Sequence, residues 1–400
     1  MLSGSDSTER SSATPILPAQ ILSRDDGHGH SPQTSGVAEP GIPSTLELAS
    51  LVALTFLLFV CVIASLKGYP ASVDNFGDSS AYMGLAAAIR QWDFSGIVIK
   101  QFWGLPYGMA GLSTISGISD RTSLLIFSIV PSLVTVLIAR RLWNGWIAGY
   151  FAVLNFDWLQ RSFLGGSEPL FMCLLLAAFL ALRQQRWLLA ALLASGATVV
   201  RPMGLFALVG IGVTLLWGKE FLRFAAATLI GLLVGSLYAL PIARHFGNPL
   251  ANVSSYHSSQ WAGGWLFGLP FYAIIKGTLL YPAPWTSLIL SFGWIALVVL
   301  GVIAMIRSRE FRRYCRCHTV EAMFLVPYLW CLFTYNYPSW ARSNFARFAI
   351  PILPFVLLAL YRWLPRDRRI LWAVAVLTSV LAATSAIGVS NVLHMLRNVF

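Results

Sequence analysis

The chain has 400 residues and a net charge of +12, yet only 11% of its residues are charged, 57% are hydrophobic and its mean hydropathy is +0.69. Soluble domains carry about 25% charged residues, so a soluble fold is excluded. The apolar runs are long and continuous rather than alternating, which excludes a transmembrane β-barrel and leaves an all-α, polytopic transmembrane helical bundle.

In chain order, residues 1–45 come first. They are rich in Ser, Pro, Thr and Gly and hold the short stretch around His28 and His30. Such a segment cannot bury enough apolar surface to fold, so a disordered cytoplasmic tail is expected, and the transmembrane domain is expected to occupy 46–400. The tail lacks the basic start and apolar core of a signal peptide. A solvated tail explains its histidines better than a metal site does.

Eleven apolar runs follow, at 46–67, 120–139, 145–160, 167–182, 187–200, 203–218, 224–243, 284–306, 320–336, 346–362 and 369–390. If each crosses once from a cytoplasmic N-terminus, Arg140, Arg141, Arg183, Arg186, Lys219, Arg223 and the basic blocks at 307–316 and 362–369 all fall inside. That is the positive-inside pattern. The basic excess is then topological, with some attraction to anionic lipid, and nucleic acid is not needed to explain it. The same map gathers Asp74, Asp78, Asp93, Glu168, Arg201, His245, His257, Arg342 and Arg347 on the outer side. Ionisable groups near a membrane are costly and usually functional, so the map points to an outward-facing site.

The first outer loop, about 68–119, reads as a helix over Ser79–Arg90 with Asp78 at its N-cap. Its apolar residues suit a helix lying along the interface. A second amphipathic stretch is expected over Trp92–Trp103. Asp78 either caps its helix or serves chemistry, and Asp74 reads equally well as a turn residue. Farther on, Ser167-Glu168-Pro169-Leu170-Phe171 opens one run. Ala197-Thr198-Val199-Val200-Arg201-Pro202-Met203-Gly204 follows a short hairpin turning at 183–187. Arg347-Phe348-Ala349-Ile350-Pro351-Ile352-Leu353-Pro354 opens a late run.

A first outer loop with an aspartate and amphipathic helices, followed by many spans, resembles the GT-C class of membrane glycosyltransferases. The Ser167–Phe171 and Ala197–Gly204 segments resemble the SE-x-LF and AT-x-x-RP-x-G motifs of the GPI-mannosyltransferase-like branch and its bacterial relatives. The Arg347–Pro354 segment resembles the R-x-x-x-P-x-x-P motif of the same class. The chain departs from the pattern in two places: its loop acids, Asp74 and Asp78, are four apart rather than adjacent, and Met203 stands where relatives often carry a polar residue. No large soluble domain is expected after the spans, unlike in oligosaccharyltransferase-like members.

The resemblance implies a polyprenyl-phosphate sugar as donor and inversion at the anomeric carbon. A glycan, lipid or protein would be the acceptor. The membrane would be the plasma (inner) membrane, or that of the endoplasmic reticulum in a eukaryote. It implies no certain cofactor and leaves a divalent cation open. Such transfer needs a general base, for which Asp78 is the first candidate, with Asp74 and Glu168 as further acids. Tyr82, one turn on, would share the face of Asp78. Arg201, Arg342 and Arg347 are candidate cations for the leaving phosphate, since guanidinium matches phosphate oxygens in a fork. Their structural alternative is snorkelling or pairing, and for Glu168 and Arg201 it is pairing with each other. His257, with Tyr256, Trp261 and Trp265, would contact a sugar or belong to an interfacial aromatic belt.

The five cysteines imply no disulfide framework. Cys61, Cys173 and Cys331 fall in apolar runs, and Cys315, Cys317 and His318 lack the further ligand of a structural zinc site. Other classes remain: a polyprenyl-linked polysaccharide polymerase or ligase would centre on a larger outer loop, and a transporter or flippase would show paired broken helices and internal repeats. Asn252-Val253-Ser254 is a glycosylation sequon.

Overall fold

The computed structural model describes residues 42–97, 100–257 and 266–387, without the side chains of Tyr256 and His257. The histidines of the tail, Trp261 and Trp265 lie outside the described residues. Among those described there is no β-strand, only an isolated bridge between Phe267 and Tyr335.

Each of the eleven apolar runs holds a helix. Five helices are long and apolar enough to cross a membrane singly: Thr45–Leu66, Asp120–Leu142, Phe221–Phe246, Trp285–Arg307 and Arg368–Ile387. Two bent pairs add to them, Phe156–Phe163 with Glu168–Arg183 at 104°, and Arg309–Cys317 with Thr319–Thr334 at 115°. The remaining apolar helices have 10–17 residues. Among the described residues, length and composition alone mark five to seven crossings of the eleven expected.

The first helix begins at Thr45. Ser44 accepts from the Glu47 amide at 3.1 Å, and the Glu47 carboxylate accepts from the Ser44 amide at 3.4 Å. This reciprocal cap satisfies two backbone donors and fixes where the helix starts. Residues 42–44 are tied down as well, with Arg140 donating to the Pro43 carbonyl at 3.2 Å.

The bundle is layered by burial. In Gly145–Leu154 every residue from Gly145 to Val153 is buried, so this helix is central. Thr45–Leu66, Asp120–Leu142, Leu353–Ala359 and Arg368–Ile387 pack around it. At the periphery, Phe221–Phe246 buries only Ala227 and Ile242 and leaves Leu229, Leu232, Leu233, Leu237 and Leu240 exposed. In water such a face would aggregate; in a bilayer it is solvated by acyl chains.

The first loop holds its expected helix at Ser79–Gln91, one residue longer than predicted. The described residues of the second amphipathic stretch, Trp92–Trp103, hold no helix. Trp92 adopts the left-handed conformation, with φ of 55°, and ends the first helix. The next helix is Gly104–Ser116, stopped by Gly117 at φ 72°. Its glycines at 104, 108 and 111 are poor helix formers, so tertiary packing of Leu105, Met109 and Ala110 carries it.

Candidate active site

Asp78 stands at the N-terminus of Ser79–Gln91, but its side chain makes no capping hydrogen bond. It points instead into a cavity of about 470 Å³. Arg347 Nη2 lies 2.9 Å from Asp78 Oδ2, while Arg347 Nε donates to Glu168 Oε1. Arg201 Nη1 lies 2.6 Å from the same Glu168 oxygen. Arg161 Nη1 lies 3.9 Å from Asp78 Oδ2, and its guanidinium covers the Phe76 ring at 4.6 Å. Two carboxylates and three guanidinium groups thus share one network.

Local sequence explains how each arrives. Pro169 sits in the first turn of Glu168–Arg183, where its missing N–H is harmless, so Glu168 is carried at a helix start and is fully buried. Arg201 ends Trp187–Val200 in an extended conformation, because Pro202 disfavours helix in the residue before it. The Pro202–Gly204 turn then folds back so closely that a Cβ at Gly204 would lie 2.5 Å from the Thr198 amide nitrogen. The spacing of Ala197, Thr198, Arg201, Pro202 and Gly204 is therefore a turn that presents Arg201 sideways. Arg347 comes from the short helix Phe345–Ala349.

Beside this network Tyr82 donates to Ser167 Oγ at 3.0 Å. Burial first, and then the charges of Asp78 and Glu168, hold its phenol well above the usual tyrosine range. It stays a neutral donor. The polar end of the cavity is formed by Gly77, Asp78, Tyr82, Arg161, Arg201 and Arg347. The rest is largely apolar and aromatic, with Phe102, Phe267, Leu332, Tyr335, Trp340 and Phe348.

Other candidates lie apart from this network. Asp74 does not line the cavity. It forms a surface ion pair with Arg121, whose Nε lies 2.7 Å from Asp74 Oδ1. Arg342 does not converge with Arg201 and Arg347. Trp340 and Asn344 face the cavity, four residues apart, and Arg342 between them turns away to the Tyr281 carbonyl at 3.3 Å. Residues two apart on a helical turn cannot share its face, which is the physical reason. The side chain of His257 lies outside the described residues. Asp93 is an ordinary turn acid, accepting from Ser95, and His245 packs on Trp92 and Phe94. Asn252 is buried and donates to the Gln101 carbonyl at 2.7 Å, so the sequon is closed to modification in this fold.

Two further charged residues, absent from the sequence-based candidates, lie by the network. Arg161 and Asp157 lie one turn apart on Phe156–Phe163 and both are buried. Their signal was present: an aspartate and an arginine at the end of the run 145–160, beside the other outer-side charges. Arg161 also explains Gly77. A Cβ there would sit 2.9 Å from Arg161 Nη1, and the backbone has φ of +44°. Gly77→Ala is expected to destabilise the fold by about 1 kcal/mol or more and to displace Asp78. Thermal unfolding in detergent checks this, and an unchanged midpoint would contradict the tight seat of the loop.

Among the described residues no group of three His, Cys, Asp or Glu side chains is arranged to hold a metal ion.

Fold and cavity together define a multi-pass helical membrane protein with a GT-C-like fold. No family model and no curated protein matches the chain. Among solved structures, ArnT from Cupriavidus metallidurans bound to undecaprenyl phosphate is similar over 80% of this chain and 61% of that one, with a TM-score of 0.50 and 13% identity. The apo state of the same protein gives a TM-score of 0.43 at 12% identity, over 80% of this chain and 60% of that one. The chain thus spans about three fifths of the length of ArnT, and at this identity the likeness is one of fold.

Proposed function

We propose that the chain is a membrane glycosyltransferase. It moves a hexose, mannose on the strength of the motif resemblance, from a polyprenyl-phosphate donor to a hydroxyl of a glycan, lipid or protein acceptor. The observation that carries this reading is the cavity itself. One half-buried carboxylate stands beside three guanidinium groups, at the polar end of an otherwise apolar chamber. A lipid-linked phosphate has the same division between charge and hydrocarbon. The undecaprenyl phosphate bound to ArnT, a protein of similar fold, supports a polyprenyl-phosphate ligand here.

In the proposed reaction the acceptor oxygen attacks the anomeric carbon as Asp78 takes its proton. Asp78 Oδ2 is engaged by Arg347, and Oδ1 makes no hydrogen bond to the described residues, so it is the oxygen that receives the proton. The bond from the anomeric carbon to the phosphate oxygen breaks, its electron pair passing to the lipid phosphate. Arg161, Arg201 and Arg347 stabilise that developing charge. Glu168 is assigned to positioning: it holds Arg201 and Arg347 at one spacing.

Incubating the purified chain with a radiolabelled polyprenyl-phosphate sugar and a membrane extract as acceptor tests the reading. Transfer of label is expected, and none with any polyprenyl-phosphate hexose would overturn it. The proposed orientation has the N-terminus cytoplasmic and the cavity on the outer side. In a cysteine-free background, Ser95→Cys should then react with an impermeant maleimide in intact cells. Reaction only after permeabilisation would invert the map.

A further inference from the structure

The helix Glu168–Arg183 has a second buried charge network at its far end. Arg183 Nε lies 3.1 Å from Glu321 Oε1, and Arg183 Nη2 donates to the Tyr314 hydroxyl at 2.8 Å. Trp143 Nε1 donates to the same hydroxyl at 2.9 Å, and Tyr314 in turn donates to Glu321. At 1.5 Å per residue this network lies about 22 Å along the helix from Glu168. It holds the short helix Arg309–Cys317 at the end of the bundle opposite the cavity.

That short helix is sharply two-sided. Ser308 caps it by accepting from the Phe311 amide at 3.1 Å, and Phe311 and Tyr314 form its buried face. Arg309, Arg312, Arg313 and Arg316 are all exposed. Their spacing of i, i+3, i+4 and i+7 puts them on one face. The helix has one acid, Glu310, and Arg362 already pairs with it. Among the described residues none of the four arginines has a carboxylate partner. Arg312 makes one bond, to the Ile306 carbonyl at 3.2 Å.

Its placement decides what meets this face. Arg309–Cys317 follows the spanning helix Trp285–Arg307 after a single residue and turns by 115° into Thr319–Thr334. A helix leaving a span and running across the next one lies at the level of the lipid headgroups. Four unpaired arginines there meet phosphodiesters, which the guanidinium fork fits, and they favour an anionic headgroup because no choline cation offsets its phosphate. We propose that the exposed face of Arg309–Cys317 is a binding surface for anionic phospholipid headgroups. The buried Tyr314 fastens that surface to the bundle. A topological signal would need only net charge; one rigid face of four arginines, anchored from behind, is a recognition surface.

The test uses the full chain in nanodiscs of phosphatidylcholine mixed with phosphatidylglycerol. Lipid retained after brief detergent extraction is counted by mass spectrometry. The unsubstituted protein is expected to retain phosphatidylglycerol above its bulk share, and added salt should reduce the excess. R312Q combined with R313Q should lower that excess roughly ten- to thirtyfold at low salt. R312K with R313K keeps charge without the fork and should fall between. If the lysine pair matches the unsubstituted chain, the surface reads charge alone and the proposed fit to phosphodiesters fails. Equal retention by the glutamine pair would place the lipid site elsewhere. Should the glutamine pair fail to fold, the unsubstituted chain still decides, since no preference for phosphatidylglycerol over phosphatidylcholine overturns the proposal outright. These measurements do not depend on sugar transfer.

Discussion

Asp78→Asn is expected to lower sugar transfer on the order of 10²–10⁴-fold, the range for loss of a general base. The same substitution should leave thermal unfolding nearly unchanged. The Asp78 side chain makes no capping hydrogen bond, so the helix behind it loses nothing when the charge goes. Its pair with Arg347 is partly open to solvent, with the Asp78 side chain 34% exposed, and such pairs contribute at most about 1 kcal/mol. Arg347 also keeps Glu168. Transfer assays on protein matched for unfolding midpoint separate rate from folding. Near-normal turnover in Asp78→Asn would remove the proposed base and move the chemistry elsewhere.

Glu168→Gln is expected to behave in the opposite way, harming the fold as well as the reaction. Glu168 is fully buried and is shared by Arg201 and Arg347. Neutralising it leaves two cations facing each other with one partly exposed aspartate between them and solvent. Removing one partner of a buried ion pair costs about 3–5 kcal/mol. A clear fall in the unfolding midpoint in detergent should accompany loss of transfer. A charge swap, Glu168→Arg with Arg201→Glu, should not recover it. The pairing has three members, and the new arginine would stand against Arg347. An unchanged midpoint in Glu168→Gln would mean that the network is not structural.

The contrast between these two carboxylates shows how far the sequence could be read. The helical class, the helix at Ser79, and the turn that presents Arg201 follow from local rules: apolar length, a cap position, and the restriction that Pro202 imposes on its neighbour. That Asp78, Glu168, Arg201 and Arg347 face one another was legible only as a shared membrane side. The bond from Arg347 to Asp78 closes across 269 residues, and no spacing rule reaches that far. Arg342 shows the same limit: side of membrane does not fix side of helix, and its buried side chain turns away from the cavity to the Tyr281 carbonyl. Arg161 falls just past an apolar run, where a basic residue reads as a flank. The number of crossings is not legible from length alone, since a run such as Gly145–Leu154 is apolar throughout yet holds only ten helical residues. Glycines in Gly104–Ser116 hid a helix that only its packing reveals.

The helix Glu168–Arg183 is pinned at both ends by buried ions, and its 16 residues cover about 24 Å. The hydrocarbon core of a bilayer is about 30 Å thick. The bend of 104° before Glu168 sends the preceding helix sideways, so it adds little depth. A protein with this mismatch thins the bilayer around itself or carries one of its ionic ends beneath the headgroups. If the sunken end is the cavity, the door to Asp78 is in the side wall of the bundle. The proposed lipid-phosphate donor would then slide in from within the leaflet, its tail never leaving oil, while a water-borne acceptor would come from the aqueous side.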